Sequence, residues 1–514
     1  MQSQTQATTW GHPKGLFYLF FAELWERFSF YGMRALLTLY MTQQLLFSDE
    51  MSFGIYAAYM SLVYITPTIG GIIADQIIGY RKAIMLGGIL MALGHFFLTI
   101  EQPLFFYGSL GLIIVGNGFF KPNISSFLGT LYEQGDTRRD SGFTIFYMGI
   151  NIGGAVAPLL CAWLADLYGW HYGFMLAGFG MLLGLFYFQR GLQQEVFGTE
   201  GLLPNPNYYE TKKLGLSRGA WVNIGAFLAT PFFALMIYGY AYEHYLVWVV
   251  SVLLVIALVY IYRQINSTDQ SRLMVTIYFT VLATLFWAIF EQAGSSLTLF
   301  ASRNVELIGI NAAQTNSINS TFIILLAIPF SWLWTFLDRN KINPNSAIKF
   351  GLGLLLLGLG FVIFALSARS ANAAAQTSMS YLILGYFVLT VGELFLSPIG
   401  LAKMTELSPL KYVAFIMGVW FSSSFFGHYF AGKIAQLTAV KAGELSPLAQ
   451  GFWGDLVTWV SGLEAEQMEQ MGDGFIQLYS YVSVYAVFGL ISIWVGMLAF
   501  LLSPVVKKWM RGIH

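Results

Sequence analysis

The chain has 514 residues, of which 57% are hydrophobic, 17% aromatic and only 10% charged, with 26 basic against 26 acidic side chains and a mean hydropathy of +0.64. Soluble domains carry about 25% charged residues, so the composition excludes a soluble globular fold, and the zero net charge gives no electrostatic case for nucleic acid or an acidic partner. A lone Cys161 and six histidines without a Cys/His cluster exclude a disulfide framework and offer no metal site.

The start, MQSQTQATTWGHPK, lacks the basic end, short apolar core and small-residue cleavage site of a signal peptide. Apolar windows long enough to span a bilayer then follow almost end to end. They predict spans near 16–46, 53–78, 83–100, 104–131, 141–166, 172–190, 219–240, 244–263, 273–301, 313–337, 347–367, 379–404, 411–435 and 475–504. Lys and Arg in the connections set the orientation. With the N-terminus inside, eighteen fall on the cytoplasmic side, including Lys14, Arg81, Lys82, Arg138, Arg139, Lys212, Lys213, Arg218, Lys507 and Lys508; the other side receives Arg303, Arg369, Lys433 and Lys441. Both termini are therefore expected in the cytoplasm.

The longest cytoplasmic connection, 191–217 with PNPNYYETKK, separates the first six spans from the rest and reads as a hinge. Taking 218–265 as an inserted hairpin leaves a bundle of six spans at 1–190 and another at 266–514. Hydropathy alone would equally allow a fold of fourteen spans without such a split. The acidic stretch 440–474, with Glu444, Asp455, Glu464, Glu466, Glu469 and Asp473, is expected to be a partly helical, solvated external loop. The run GLGLLLLGLG at 351–360 lies inside an apolar span and lacks the strand–turn–helix context of a phosphate loop, so close helix packing is its expected role.

Four charges interrupt the first span, in ELWERFSFYGMR at 23–34. At about 100° per residue, Glu23, Glu26, Arg27, Phe30, Tyr31 and Arg34 share one face. A charge at the bilayer centre is unfavourable by about 2.5–3.5 kcal/mol, so this face needs a water-filled cavity or partners of opposite sign, a charge-paired seam being the plainer alternative. Lys121 in the fourth span and Glu291 and Glu393 in the later spans are equally embedded. Three bases in the first half and two acids in the second suit a zwitterion. His95 and His428 lie in spans and are expected to be packed polar residues.

ELWERFSFYG resembles the ExxERFxYYG signature of the proton-dependent oligopeptide transporter (POT/PTR) family, prokaryotic branch, within the major facilitator superfamily. GGIIADQIIGYRK is similar to that superfamily's motif between helices two and three. FFKPNISSFLGTLY, FTIFYMGINIGGAVAPL and GELFLSPIGL resemble further family patterns, and the likeness covers essentially the whole chain. One departure is visible: Phe30 stands where the signature has its first Tyr. The resemblance implies an all-α membrane protein of two six-helix halves plus an inserted two-helix hairpin, importing di- and tripeptides with protons by alternating access, the peptide lying between the halves. It implies that Arg27, Arg34 and Lys121 face the peptide carboxylate and Glu393 its amino group, with Asn151 and Asn319 hydrogen-bonding nearby and Tyr31, Tyr64, Trp287, Trp420 and Ser424 lining the pocket. Glu23, Glu26 and Glu291, tuned by Arg27, match proton-coupling acids. Arg34 with Glu291, and Lys121 with Glu393, match gating pairs, while Asp75 and Lys82 match conformational locks.

No cofactor is implied beyond the coupling proton. The partners expected are peptides, protons and the lipid bilayer, in a bacterial inner membrane, with no nucleic acid. Carriage of another zwitterion or anion, or a non-transporting receptor on the same fold, stays open at this level. No Ser/His/Asp set or repeated filter motif points to an enzyme or a channel.

Overall fold

A computed structural model of the chain describes residues 8–133, 135–440 and 444–512. It is almost wholly helical, and its packing divides into two compact units, residues up to Leu37 with Leu62–Tyr240, and Thr38–Ser61 with Ala241 onwards.

The first unit contains most of α1 (Lys14–Leu39), the C-terminal half of α2 (Asp49–Ile73), then α3 (Gly79–Phe97), α4 (Pro103–Thr130), α5 (Arg139–Tyr168), α6 (Trp170–Gln193), the short α7 (Pro206–Glu210) and α8 (Arg218–Tyr238). A π-helical turn, Ala74–Ile78, joins α2 to α3. The connection 191–217, expected as a hinge, is not loose chain. Phe197 in it is fully buried and packs on Phe127 with ring centroids 4.9 Å apart and on Phe188 at 5.8 Å. Arg81 fixes the same stretch through its backbone carbonyls, donating from Nε to Glu200 O (2.7 Å) and from Nη2 to Gly198 O (2.6 Å). Removing the Phe197 ring from water is favourable and ties the connection to the first unit.

The second unit takes the C-terminal end of α1 and the N-terminal half of α2 together with α9 (Glu243–Gln264), α10 (Ser267–Phe290), α11 (Ser296–Asn304), α12 (Ser317–Arg339), α13 (Ser346–Leu366), α14 (Met379–Leu407), α15 (Val413–Gln436), α16 (Gly451–Ser461), α17 (Ala465–Met471) and α18 (Asp473–Trp509). The two helices of the expected hairpin thus fall in different units. The predicted span 273–301 is broken: α10 ends at Phe290 and a 3₁₀ turn, Glu291–Gly294, leads into α11. Side chains take up the polar groups this break frees. Gln292 Nε2 donates to Ala288 O (3.1 Å) and to Ala431 O of α15 (2.9 Å), Ser296 Oγ to Gln292 Oε1 (2.7 Å), and Thr38 Oγ1 to Gly294 O (2.7 Å).

The glycine run in α13 has the packing role expected of it. A Cβ on Gly351 would lie 3.0 Å from Gly496 O of α18 and one on Gly358 would strike Gly489 O, whereas Gly353 and Gly360 approach Gly392 O and Gly385 O of α14 at 3.0 and 2.9 Å. Glycines seven apart recur on one helix face, so the sequence carries two interleaved contact stripes, one for each neighbouring helix.

Eleven helical segments among the described residues are long and apolar enough to cross a membrane, Asp49–Phe97 being two helices end to end; α1, with its five charged residues, is not one of them. The acidic stretch is partly helical, as α16 and α17, with Glu444, Asp455, Glu464, Glu466 and Asp473 exposed. Arg369 anchors it by donating to Val460 O (3.0 Å) and Trp459 O (2.7 Å) at the end of α16. Lys441 and the Glu469 side chain lie outside the described residues.

Candidate substrate and proton site

In the first unit the charges of α1 form one buried cluster. Glu23, Glu26 and Arg27 are 2%, 0% and 2% exposed. The Arg27 guanidinium donates from Nη2 to Glu26 Oε1 (2.5 Å) and from Nε to Glu26 Oε2, and Nε lies 3.5 Å from Glu23 Oε1. Glu23 Oε2 is buried with no hydrogen-bond partner among the described residues. The face of Arg27 lies over Phe30 (5.0 Å to the centroid) and Tyr31 (5.9 Å). The departure at Phe30 is thus accommodated: its ring is buried beneath the guanidinium, in a cation–π contact that needs no hydroxyl.

Sequence dictates this geometry locally. The INIGG segment of α5 puts Gly153 against α1, where a Cβ would fall 2.6 Å from Leu24 O and 3.0 Å from Arg27 Cβ, so the absent side chain lets α5 lie directly on the arginine. Asn151, two residues before it, is buried and donates to Tyr147 O of its own helix at 3.0 Å. Lys121 on α4 lies over the Tyr64 ring at 4.6 Å and within electrostatic reach of Glu23, Glu26, Arg27 and Arg34. The structure therefore brings Glu23, Glu26, Arg27, Tyr31, Arg34, Tyr64 and Lys121 into one neighbourhood.

Asp75 and Lys82 are placed apart from it. Asp75 is exposed on the π-turn and hydrogen-bonds Tyr80, while Lys82 Nζ sits over the Tyr209 ring of α7 at 3.7 Å. Lys82 thus holds the linker, a contact that its place in the GYRK motif does not reveal.

The second unit supplies the acids. Asn319 of α12 donates through Nδ2 both to Glu393 Oε2 of α14 and to Thr390 Oγ1, each at 3.0 Å. Glu291, 5% exposed at the helix break, lies within electrostatic reach of Glu393, and its Oε1 is 3.9 Å from His428 Nε2 on α15. His428, expected to be a packed polar residue, is packed at 2% exposure, and it packs onto the Glu291 carboxylate. Trp287 is half-buried and edge-on to Phe286 and Phe290 at 5.3 and 5.5 Å. Trp420 is buried against Phe350 at 6.2 Å, and the missing side chain of Gly400 makes room for its indole. Ser424 is half-buried on the same helix, α15. Sequence reading also missed Arg303, which clasps Asp49 with Nη1 at 2.5 Å and Nη2 at 2.9 Å while Nη1 meets the Tyr481 hydroxyl at 3.0 Å.

With these arrangements in view, comparison with known proteins decides the lineage. Residues 81–450 match the POT family. The chain belongs to that family. It is 37% identical to the peptide transporter YePEPT of Yersinia enterocolitica, over 87% of this chain and 93% of that protein. Dipeptide and tripeptide permease B of Xenorhabdus bovienii is 31% identical over 87% and 92%. The crystal structure of a peptide transporter POT in complex with sulfate superposes with a TM-score of 0.81 at 31% identity, covering 99% of this chain and 98% of that one. The family match carries with it the all-α, multi-pass major facilitator fold.

Proposed function

We propose that this POT family member is a proton-coupled symporter that imports di- and tripeptides by alternating access. The observation that carries the reading is the charge arithmetic of the two buried sites. In the first unit three bases, Arg27, Arg34 and Lys121, face two acids, Glu23 and Glu26, leaving one positive charge where a peptide carboxylate would be neutralised. In the second unit Glu291 and Glu393 bring two negative charges, which one ammonium and one proton would match. Charges kept out of water are tolerated only when compensated, and a zwitterionic peptide travelling with a proton compensates both sites at once.

Roles follow from chemistry. Arg27 and Arg34 offer planar forks for a carboxylate, whereas Lys121 is a point charge that a neighbouring acid can release. Glu393, held by Asn319, takes the peptide ammonium. Tyr31, Tyr64, Trp287 and Trp420 accept varied side chains by contact, and Asn151 and Ser424 add hydrogen bonds, which suits broad specificity. Glu23, Glu26 and Glu291 exchange the proton. When the peptide carboxylate competes for Arg27, Glu26 and Glu23 lose their counter-charge and hold a proton instead. Glu23 Oε2, buried without a donor, is where that proton has room to sit. The pairs Arg34–Glu291 and Lys121–Glu393 serve as gates that form and break in the cycle, and Asp75 and Lys82 act as locks through their contacts with Tyr80 and Tyr209.

The topology reading, fourteen crossings with both termini in the cytoplasm of a bacterial inner membrane, follows the basic connections. Counterflow in liposomes tests the function. Exchange of labelled dialanine against dialanine loaded inside, with no proton gradient, supports it; failure with dialanine, trialanine and mixed dipeptides alike would transfer the fold to another cargo.

A further inference from the structure

We infer that the first unit carries a binding groove for one anionic phospholipid, with the acyl chain lying between α2, α4 and α8 and the headgroup on Lys213 and Arg218. The groove encloses about 630 Å³, and along its length it is lined by apolar side chains and small residues, among them Ile69, Ile73, Phe119, Ala226 and Phe233. Its floor is set by the close approach of α2 to α4, where a Cβ on Gly118 would lie 2.9 Å from Thr66 Cβ. In a bilayer such a trough fills with hydrocarbon.

Three observations at the mouth specify the head. Arg218 lies flat on the Tyr208 ring at 3.6 Å, yet its Nη1 is buried with no hydrogen-bond partner among the described residues. A guanidinium nitrogen left without an acceptor favours an anionic oxygen. Lys213 belongs to the same mouth, on a two-residue strand paired with Leu216–Ser217. That hairpin is held in place: Trp221 Nε1 donates to Lys213 O (2.7 Å), Arg218 N to Thr211 O (3.1 Å), and Ser217 Oγ accepts from Ala220 N (3.1 Å).

The hairpin's tip is Leu214, 85% exposed and at φ 53°, a backbone conformation unfavourable for a branched residue. An exposed leucine directly after two lysines, with Trp221 lining the same groove, matches the interface between headgroups and acyl chains. Two basic residues near an anionic surface add about 1 kcal/mol each to lipid attraction. A zwitterionic lipid would fill the trough but gain less at the head.

The inference stands apart from peptide transport, and so does its test. The full-length protein, purified in detergent, is incubated with equal amounts of phosphatidylglycerol and phosphatidylcholine, and bound lipid is read by native mass spectrometry. Wild type is expected to retain phosphatidylglycerol over phosphatidylcholine by about thirtyfold, the effect of two cations. The double variant Lys213→Gln/Arg218→Gln is expected to lose the preference. Gly225→Leu is expected to lower retention of both lipids with the melting temperature unchanged, because a Cβ there meets nothing within 4 Å and the leucine grows into the groove. Equal retention of the two lipids by wild type, or wild-type retention by Gly225→Leu, would overturn the assignment. Displacement of the lipid by millimolar inorganic phosphate would also overturn it, by reducing the site to one for free anions.

Discussion

At Arg27 the guanidinium is held on its edge by Glu26, lies 3.5 Å from Glu23 and has two aromatic rings on its face. A lysine keeps the charge and loses the fork, so Arg27→Lys should cut dialanine uptake by more than about tenfold, the scale of one lost charge-assisted hydrogen bond at about 1.5–3 kcal/mol. Near-normal uptake by that variant in proteoliposomes would remove Arg27 from the carboxylate site. Glu393→Gln should weaken dialanine binding, measured by calorimetry, far more than binding of an N-acetylated dipeptide, which has no ammonium to pair; equal losses would make Glu393 a structural group. Much of this chemistry is legible in sequence, because the charges of ELWERFSFYGMR share one helix face and helical periodicity alone puts them together. His428 was not legible. Its partner, Glu291, lies on a different helix far away in sequence, and a histidine in an apolar span looks the same whether it packs on leucine or on a carboxylate. The clasp between Arg303 and Asp49 escaped for the same reason.

Helix α13 makes the corresponding case at the level of elements. Its glycines are spaced so that α14 and α18 each approach a separate stripe, and Gly358→Ala pushes a methyl group into Gly489 O. Such overpacking is unfavourable by about 1–3 kcal/mol, so the variant's melting temperature in detergent should fall, while Gly225→Ala, facing open space, should leave it unchanged or raise it. Equal effects would show that helix propensity, not packing, governs both sites. Periodicity and hydropathy placed the long helices to within a few residues, but they could not show the break at Glu291–Gly294, because the polar side chains that satisfy it are ordinary helix residues until the neighbouring helix is in place. The anchoring of the linker is hidden for a related reason: Phe197 is one of several apolar residues in that stretch, with Val196, Leu202 and Leu203, and its burial depends on Phe127 and Phe188. Arg81→Ala should free that segment, and limited V8 digestion after Glu195 and Glu200 should then proceed faster than in wild type; unchanged cleavage would assign the anchoring to the other contacts, Phe197 foremost.

Across the whole molecule the energetic requirement is modest. A potential of about 100 mV supplies roughly 2.3 kcal/mol per proton and one pH unit about 1.4 kcal/mol, together enough to concentrate a peptide a few hundredfold at one-to-one coupling. Not every carboxylate takes part. Asp136, in the connection between α4 and α5, is bonded to the Arg138 guanidinium and backbone, which lowers its pKa to about 2. A depressed carboxylate contributes to stability above its unfolded value near 3.8 and loses that contribution only as pH falls toward 2, so it is ionised throughout the working range and Asp136→Asn should leave the pH profile of uptake unchanged. The acids that matter are those in the two buried sites. Dialanine uptake into proteoliposomes under an inward proton gradient, paired with gradient-free counterflow in the same preparation, tests this most directly. Wild type should accumulate peptide above the outside concentration and collapse to equilibration when a protonophore is added, while Glu23→Gln and Glu26→Gln should retain counterflow and lose accumulation. Accumulation that survives the protonophore, or wild-type accumulation by both glutamine variants, would contradict proton coupling through the charged face of α1.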